Sequence, residues 1–434
     1  MNRRDFLATS ATGLAAAAWL RLGSRSTAAT PGRPPNIVFV LGDDVGIADT
    51  GVYGGGFTTP TIDALAAGGT RFSHCYSTPL CGPSRCQLLT GRYPFRTGLI
   101  SNNSHNAVAP DRETMIPTVM KAAGYATASV GKWGQICLGP REWGFDEHLV
   151  FQGSGHYWPR QDPRYNVNGE ARRLRVRQYL PDVMHQFAVD FVTRQKDRPF
   201  LLYYPMSHIH APILETPDSK PGANPKQLYA DNVQYMDKLI GKLLDELERL
   251  KLRDNTLVIF AGDNGTARFG PGLIDGQPIH GRKGSMLEGG ARVPLIANWP
   301  GVTPAGRILD DLTDFSDFLV TLAEVGEAKL PTDRPLDGQS FAPALLGPNA
   351  KPRPWCYVEL TGRSYVTDRQ YKLTGDGNLF DMAKAPFAEI PVAADSKDEA
   401  AVAARARLQA VLADHQARPW NGGGGAAARR NQNI

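Results

Sequence analysis

Four short apolar runs in this 434-residue chain each lead into a polar group with chemical capacity. The run at 36–41 continues into Gly42-Asp43-Asp44, and the run at 256–260 into Gly262-Asp263-Asn264-Gly265. A third, at 126–130, continues into Gly131-Lys132, and a fourth, at 200–204, runs toward His208 and His210. Asp43, Asp44, Asp263 and Asn264 form an oxygen-only donor set of three carboxylates and an amide. Carboxylates crowded together repel one another and titrate upward unless a cation sits among them. Oxygen donors suit calcium or magnesium rather than zinc, which takes nitrogen and sulfur. Asp-Asp and Asp-Asn-Gly are weak motifs singly, because polar turns after strands are common. Four such groups after four runs are a stronger signal.

The elements that would position them follow from the pattern. Continuous apolar runs bounded by Gly, Pro or Asp are what strands covered on both faces look like, and 126–130 and 293–297 read as weaker ones of the same kind. Helical segments separate them, the clearest over 227–250, where Val233, Met236, Ile240, Leu243, Leu247 and Leu250 recur at steps of three and four. Alternating strands and helices predict an α/β protein with a large mixed, mostly parallel sheet flanked by helices. In such a sheet ligands bind where loops converge at the carboxyl ends of the strands. After residue 330 prolines crowd the chain; 355–360 and 371–373 then read as antiparallel strands and 400–414 as a helix. The expected division is a catalytic domain over 34–345 and a C-terminal α+β subdomain over 350–420. A leader over 1–29 precedes them, and a glycine-rich flexible tail over 421–434 follows.

The most specific stretch is Cys81-Gly82-Pro83-Ser84-Arg85, which continues through Cys86-Gln87-Leu88 into Leu89-Thr90-Gly91-Arg92. It resembles the modification motif of the type I sulfatases of the alkaline-phosphatase superfamily, Cys-x-Pro-Ser-Arg, three variable residues, then Leu-Thr-Gly-Arg. The resemblance implies that a formylglycine-generating enzyme oxidises Cys81 to formylglycine (3-oxoalanine), whose hydrate is the nucleophile, with Arg85 as its partner. Pro83 suits the first turn of a helix, which would set Cys81 at a helix N-terminus facing an anion. The same resemblance implies metal ligands Asp43, Asp44, Asp263, Asn264 and modified Cys81, with calcium ahead of magnesium. It also implies sulfate-binding lysines at Lys132, in Gly131-Lys132-Trp133, and Lys283, in Arg282-Lys283-Gly284. His210, just before Ala211-Pro212, matches the family's active-site histidine, and His208 is the second choice. Many members follow Gly-Lys-Trp with a histidine; here that position is Gly134. Gly155-His156-Tyr157 resembles a downstream substitute, so His156 is carried as a candidate. The implied reaction hydrolyses a sulfate ester to an alcohol or phenol and inorganic sulfate, the metal and the cations Arg85, Lys132 and Lys283 holding the sulfate oxygens.

Composition narrows the alternatives. Hydrophobic residues make 42% of the chain and the formal charge is only +5, which excludes intrinsic disorder. Residues 1–29 open with Asn2-Arg3-Arg4-Asp5-Phe6-Leu7, followed by a ten-residue apolar stretch and a small-residue exit, the pattern of a twin-arginine signal peptide. The expectations are Tat translocase as an export partner and a periplasmic or secreted protein. No apolar stretch reaches the roughly 20 residues of a bilayer span. The leader's four Arg and one Asp take the charge from +5 to +2, and Arg429 and Arg430 in the tail take it to zero. The body is therefore neutral, and nucleic-acid binding has no motif beyond the run Arg172-Arg173-Leu174-Arg175-Val176-Arg177, which reads as a solvated hairpin strand. Cys75, Cys86, Cys137 and Cys356 are too few for a disulfide scaffold, and their pairing stays open. Two other readings use the same residues: a phosphonate monoester or phosphodiester hydrolase, and a non-catalytic binding homologue.

Overall fold

The computed structural model describes residues 33–151, 153–267, 272–347 and 351–416; the expected leader and tail lie outside them. The first eight strands are β1 (Asn36–Gly42), β2 (Thr70–Tyr76), β3 (Ala126–Lys132), β4 (Glu147–Phe151), β5 (Arg164–Val167), β6 (Glu170–Arg173), β7 (Phe200–Met206) and β8 (Thr256–Gly262). A short hairpin, β9 (Leu273–Ile274) and β10 (Gln277–Pro278), precedes β11 (Arg292–Asn298) and β12 (Arg307–Asp314). All of these except the β9–β10 hairpin form one sheet in the order β12-β2-β11-β8-β1-β7-β3-β4-β5-β6. Its centre, β8-β1-β7-β3-β4, is parallel throughout, and β11 runs against both of its neighbours. The expected mixed, mostly parallel sheet is what forms. The arginine run is strand only through Arg173; Arg175 and Arg177 lie beyond β6.

Strand β1 explains the unbroken apolar runs. Ile37, Phe39 and Leu41 belong to the core on one face of the sheet, and Val38 and Val40 to the core on the other. Because alternate side chains point to opposite faces, a strand buried on both must be apolar at every position. One face packs on α1 (Pro60–Ala67), and on α5 (Leu180–Arg194) and α6 (Pro225–Arg249) further along the chain. The other packs on α2 (Cys81–Thr90) and α4 (Ile116–Ala122), with α3 (Pro94–Thr97) between them in sequence; α8 (Asp317–Val325) and α9 (Ala342–Leu346) complete it, and the short α7 (Glu288–Ala291) leads into β11. Helix α6 begins two residues before the expected start at 227. Asn224 caps it by accepting from the Lys226 and Gln227 amides, and Pro225 fills a first-turn position where no amide hydrogen is needed.

A separate antiparallel sheet, β13 (Cys356–Leu360), β14 (Arg363–Thr367), β15 (Tyr371–Thr374), β16 (Leu379–Asp381) and β17 (Ile390–Val392), follows in simple meander order. Helix α10 (Glu399–Gln416) covers it through Ala401, Ala404, Leu408 and Leu412. All five cysteines are free thiols. Among the described residues no helix is long and apolar enough to cross a membrane.

Candidate active site

Strands β8, β1, β7 and β3 are parallel neighbours, so the loops that follow them emerge side by side. Gly42 and Gly262 end β1 and β8 in register, and the amide of Asp263 donates to Gly42 O at 2.9 Å. This sets Asp43-Asp44 against Asp263-Asn264. Lys132 is the last residue of β3, and Ser207 to His210 follow β7. Strand β2 runs the same way as β8, because each is antiparallel to β11, so its exit delivers α2 and Cys81 to the same edge. The reversed β11 brings in the loop that enters it, with Lys283, from that edge as well. Topology alone thus assembles residues from six segments.

The cluster is nearly dry. Asp43, Asp263 and Asn264 are 0% exposed and Cys81 is 1%. Lys132 Nζ donates to Asp43 Oδ2 at 2.6 Å, Arg85 Nε and Nη2 each meet Asp263 Oδ2 at 2.9 Å, and Lys283 Nζ pairs with Asp44 Oδ1. Three carboxylates therefore face three cations. Burial alone would raise the Asp43 carboxyl, but Lys132 and Arg85 outweigh it and hold it well below the usual carboxylate range. Asp263 goes the other way, raised by burial and by Asp43 and Asp44 despite Arg85. Burial would lower the Lys283 ammonium, yet Cys81 and Asp44 hold it above its ordinary value. The Cys81 sulfur lies 3.8 Å from Lys132 Nζ and 3.6 Å from Lys283 Nζ, at the first residue of α2, while burial pushes its thiol up.

Asp43 Oδ1 and Asn264 Oδ1 are buried oxygens that accept no hydrogen bond from the described residues. One oxygen each of Asp43 and Asp44, the Cys81 sulfur and a ring nitrogen of His210 lie within 4.8 Å of one another. Asp44 holds this place with a left-handed backbone, φ 65°, a strained conformation for a residue with a Cβ. Bare oxygens and clustered carboxylates fit a hard divalent cation. With the local charge already balanced, such an ion adds positive charge for an incoming anion to neutralise.

The two histidines part company. His210 Nδ1 donates to Ala211 O at 2.7 Å, which leaves Nε2 facing the cluster, 3.8 Å from Asp44 Oδ2. His208 is 1% exposed, packed near the Tyr157 and Tyr235 rings, and burial drives its pKa down to about 3. His156 is exposed and is not drawn into the cluster; its near neighbour Ser154 instead donates to Asp43 Oδ2 at 3.4 Å. Asn102, absent from the residues singled out above, accepts from the Gly82 amide at 3.0 Å and places Nδ2 3.9 Å from the Cys81 sulfur.

The Sulfatase family model matches residues 35–327. The chain belongs to the sulfatase family. N-acetylgalactosamine-6-sulfatase of Canis lupus familiaris is 36% identical over 382 residues, covering 78% of this chain and 71% of the relative. Arylsulfatase A of Homo sapiens is 35% identical over 359 residues, covering 74% and 69%. The crystal structure of Ps i-CgsB superimposes with a TM-score of 0.73 at 28% identity, over 89% of this chain and 92% of that one, and the same protein has been solved in complex with k-i-k-neocarrahexaose. This sulfatase is accordingly a sulfuric ester hydrolase with the alkaline-phosphatase-like fold that the sequence resemblance implies.

Proposed function

We propose that this sulfatase is exported and cleaves sulfate esters of carbohydrates, using formylglycine made from Cys81 and a divalent ion, calcium ahead of magnesium. The observation that carries the reading is the placement of the Cys81 sulfur at the start of α2, between the ammonium groups of Lys132 and Lys283 and beside the carboxylates. The substrate class draws on the hexosamine sulfatase relative and on the oligosaccharide complex of Ps i-CgsB. Export by the twin-arginine route and delivery to the periplasm or outside rest on residues 1–29.

Asp43, Asp44, Asp263 and Asn264 would hold the ion, which with the hydrated formylglycine supplies Lewis-acid charge and an oxygen nucleophile. The protein's own side chains do the rest. Lys132 and Lys283 donate to the sulfate oxygens and offset charge that develops on them. Arg85, locked onto Asp263 and donating through Nη1 to Lys132 O at 2.6 Å, fixes both the carboxylate and the end of β3. The departing oxygen takes its proton from Lys283 Nζ, or from His210 Nε2 when that ring is an imidazolium with both nitrogens protonated.

Cys81→Ser, produced in a host that modifies only cysteine, should lose at least about a thousandfold in kcat, the scale of removing a nucleophile, while keeping its metal content. Wild-type-like turnover would remove Cys81 from the mechanism. Matched sulfate and phosphate esters of one phenol separate this reading from a phosphoryl hydrolase.

A further inference from the structure

Beside the reaction centre lies a cleft of about 870 Å³, within the roughly 300–1,000 Å³ typical of small-molecule sites. It runs from the loop after Lys132 to the β5–β6 hairpin, with Trp133, Phe151, His148 and Asn166 in its lining and Arg141 and Arg164 exposed at its rim. Among the described residues no reaction-centre side chain lines it, and its link to the chemistry is through Gly134 and Gln135. Gly134 lines it, and a Cβ on Gly134 would sit 3.3 Å from Lys132 Cε; a Cβ on Gly82, next to Cys81, would meet Gln135 Cβ at 2.8 Å. Where many relatives of this motif carry a histidine, this chain has no side chain between the sulfate-binding lysine and the cleft.

Two features point to a ligand. His148, in the lining, is 5% exposed and its Nε2 meets Asn166 Oδ1 at 2.9 Å, while its Nδ1, itself covered, has no partner among the described residues, an arrangement that costs stability. The second feature is charge. Arg164 stands directly opposite Arg173 in the hairpin, and like charges in that position repel. Arg173 is drawn off by Asp162 at 3.4 Å, whereas Arg164 and Arg141 have no carboxylate partner among the described residues. Aromatic and apolar walls, an imidazole and an amide in the lining, and two guanidinium groups against the single carboxylate of Glu142 leave a net positive cleft that matches a sugar ring bearing an acid group.

Resting on the sulfatase reading above, we propose that this cleft is the subsite for a second saccharide unit, next to the sulfated one, whose carboxylate or sulfate is held by Arg164 with Arg141. The substrate is then an anionic oligosaccharide rather than a simple aryl sulfate.

The test compares four substrates with the modified full-length enzyme. They are a chondroitin sulfate disaccharide sulfated on its hexosamine, its carboxyl-reduced form, a neutral-backbone disaccharide carrying two sulfates, and nitrophenyl sulfate. Wild type should favour an acid-bearing disaccharide over the carboxyl-reduced one by about tenfold in kcat/KM, the scale of one charge-assisted hydrogen bond, and mainly through KM. Preference for the first or the third substrate tells carboxylate from sulfate. Arg164→Ala, a change at an exposed position, should erase that preference and leave nitrophenyl sulfate unchanged, while Arg173→Ala, already paired with Asp162, should keep it. Turnover without acid preference, or a preference that survives Arg164→Ala, overturns the subsite and leaves the sulfatase reading standing. Failure to release sulfate from any of the four overturns both.

Discussion

Among the described residues Asn264 Oδ1 accepts no hydrogen bond and Asp43 Oδ1 has only the Arg85 guanidinium at 3.4 Å, and an unsatisfied buried acceptor costs about 1–3 kcal/mol. An ion that binds only the native state adds about 2.7 kcal/mol of stability at a concentration a hundredfold above its Kd. Chelation of the purified sulfatase should therefore lower its melting temperature, and calcium should restore it more fully than magnesium, which demands stricter octahedral geometry. An unchanged melting curve in chelator, together with no divalent metal by elemental analysis, would remove the ion from this site. The residues that meet here were legible because each abuts a distinctive run: Asp43 and Asp263 close buried strands, and Cys81 opens a twelve-residue motif. Asn102 was not legible. It sits in Ser101-Asn102-Asn103-Ser104, which reads as any polar loop, and only the fold brings it within 3.9 Å of the Cys81 sulfur. His156 shows the reverse case, a residue with a suggestive sequence context that the structure leaves exposed.

Strand β3 delivers Lys132, and its neighbour Gly131 lies close against the end of β7. Gly131 has φ 129°, and a Cβ there would lie 2.2 Å from Pro205 O, part of a strand with no room to retreat. Gly131→Ala should cost at least about 2 kcal/mol, combining backbone strain with a clash, and it should lower kcat by moving Lys132. The matched control is Gly124→Ala, which also has positive φ, 88°, but open space around it, so strain acts alone. Urea unfolding of the two variants separates the contributions; equal midpoints would show that β3 yields at Gly131 without penalty. Strands β1, β3, β7, β8 and β11 are legible in the sequence because both of their faces are buried. Strand β2 does not show in the sequence, because its Arg71, Ser73 and His74 are only partly buried and break the apolar run, whereas the solvated hairpin strand expected at the arginine run forms as β6 and ends at Arg173.

The C-terminal sheet reaches back to the site. Lys372 Nζ donates to Met286 O at 2.6 Å and pairs with Glu389, whose Oε1 accepts from the Glu288 amide at 3.0 Å, while the His280 amide donates to Pro386 O at 2.7 Å. The loop bearing Lys283 is thus tied down on both sides by residues more than eighty positions later, a link that no local pattern could reveal. A second tie joins the sheet to the segment after α2. Glu359, 6% exposed on β13, accepts from the Phe95 amide at 3.1 Å, and among the described residues no cation offsets its burial, so its pKa rises from 4.5 to about 7. The native state then holds a proton that the unfolded chain has already released between those two values. That contribution to stability is full below about pH 4.5 and is lost as pH rises through about 7, with a slope of at most about 1.4 kcal/mol per pH unit. Glu359→Gln keeps the shape and the acceptor but cannot titrate. Compared at successive pH values across this window, the variant should gain on wild type as pH rises, because wild type alone must carry a buried charge at the upper end. Parallel unfolding curves at every pH would mean that Glu359 keeps an ordinary carboxylate pKa, with the contact between β13 and α3 open to water.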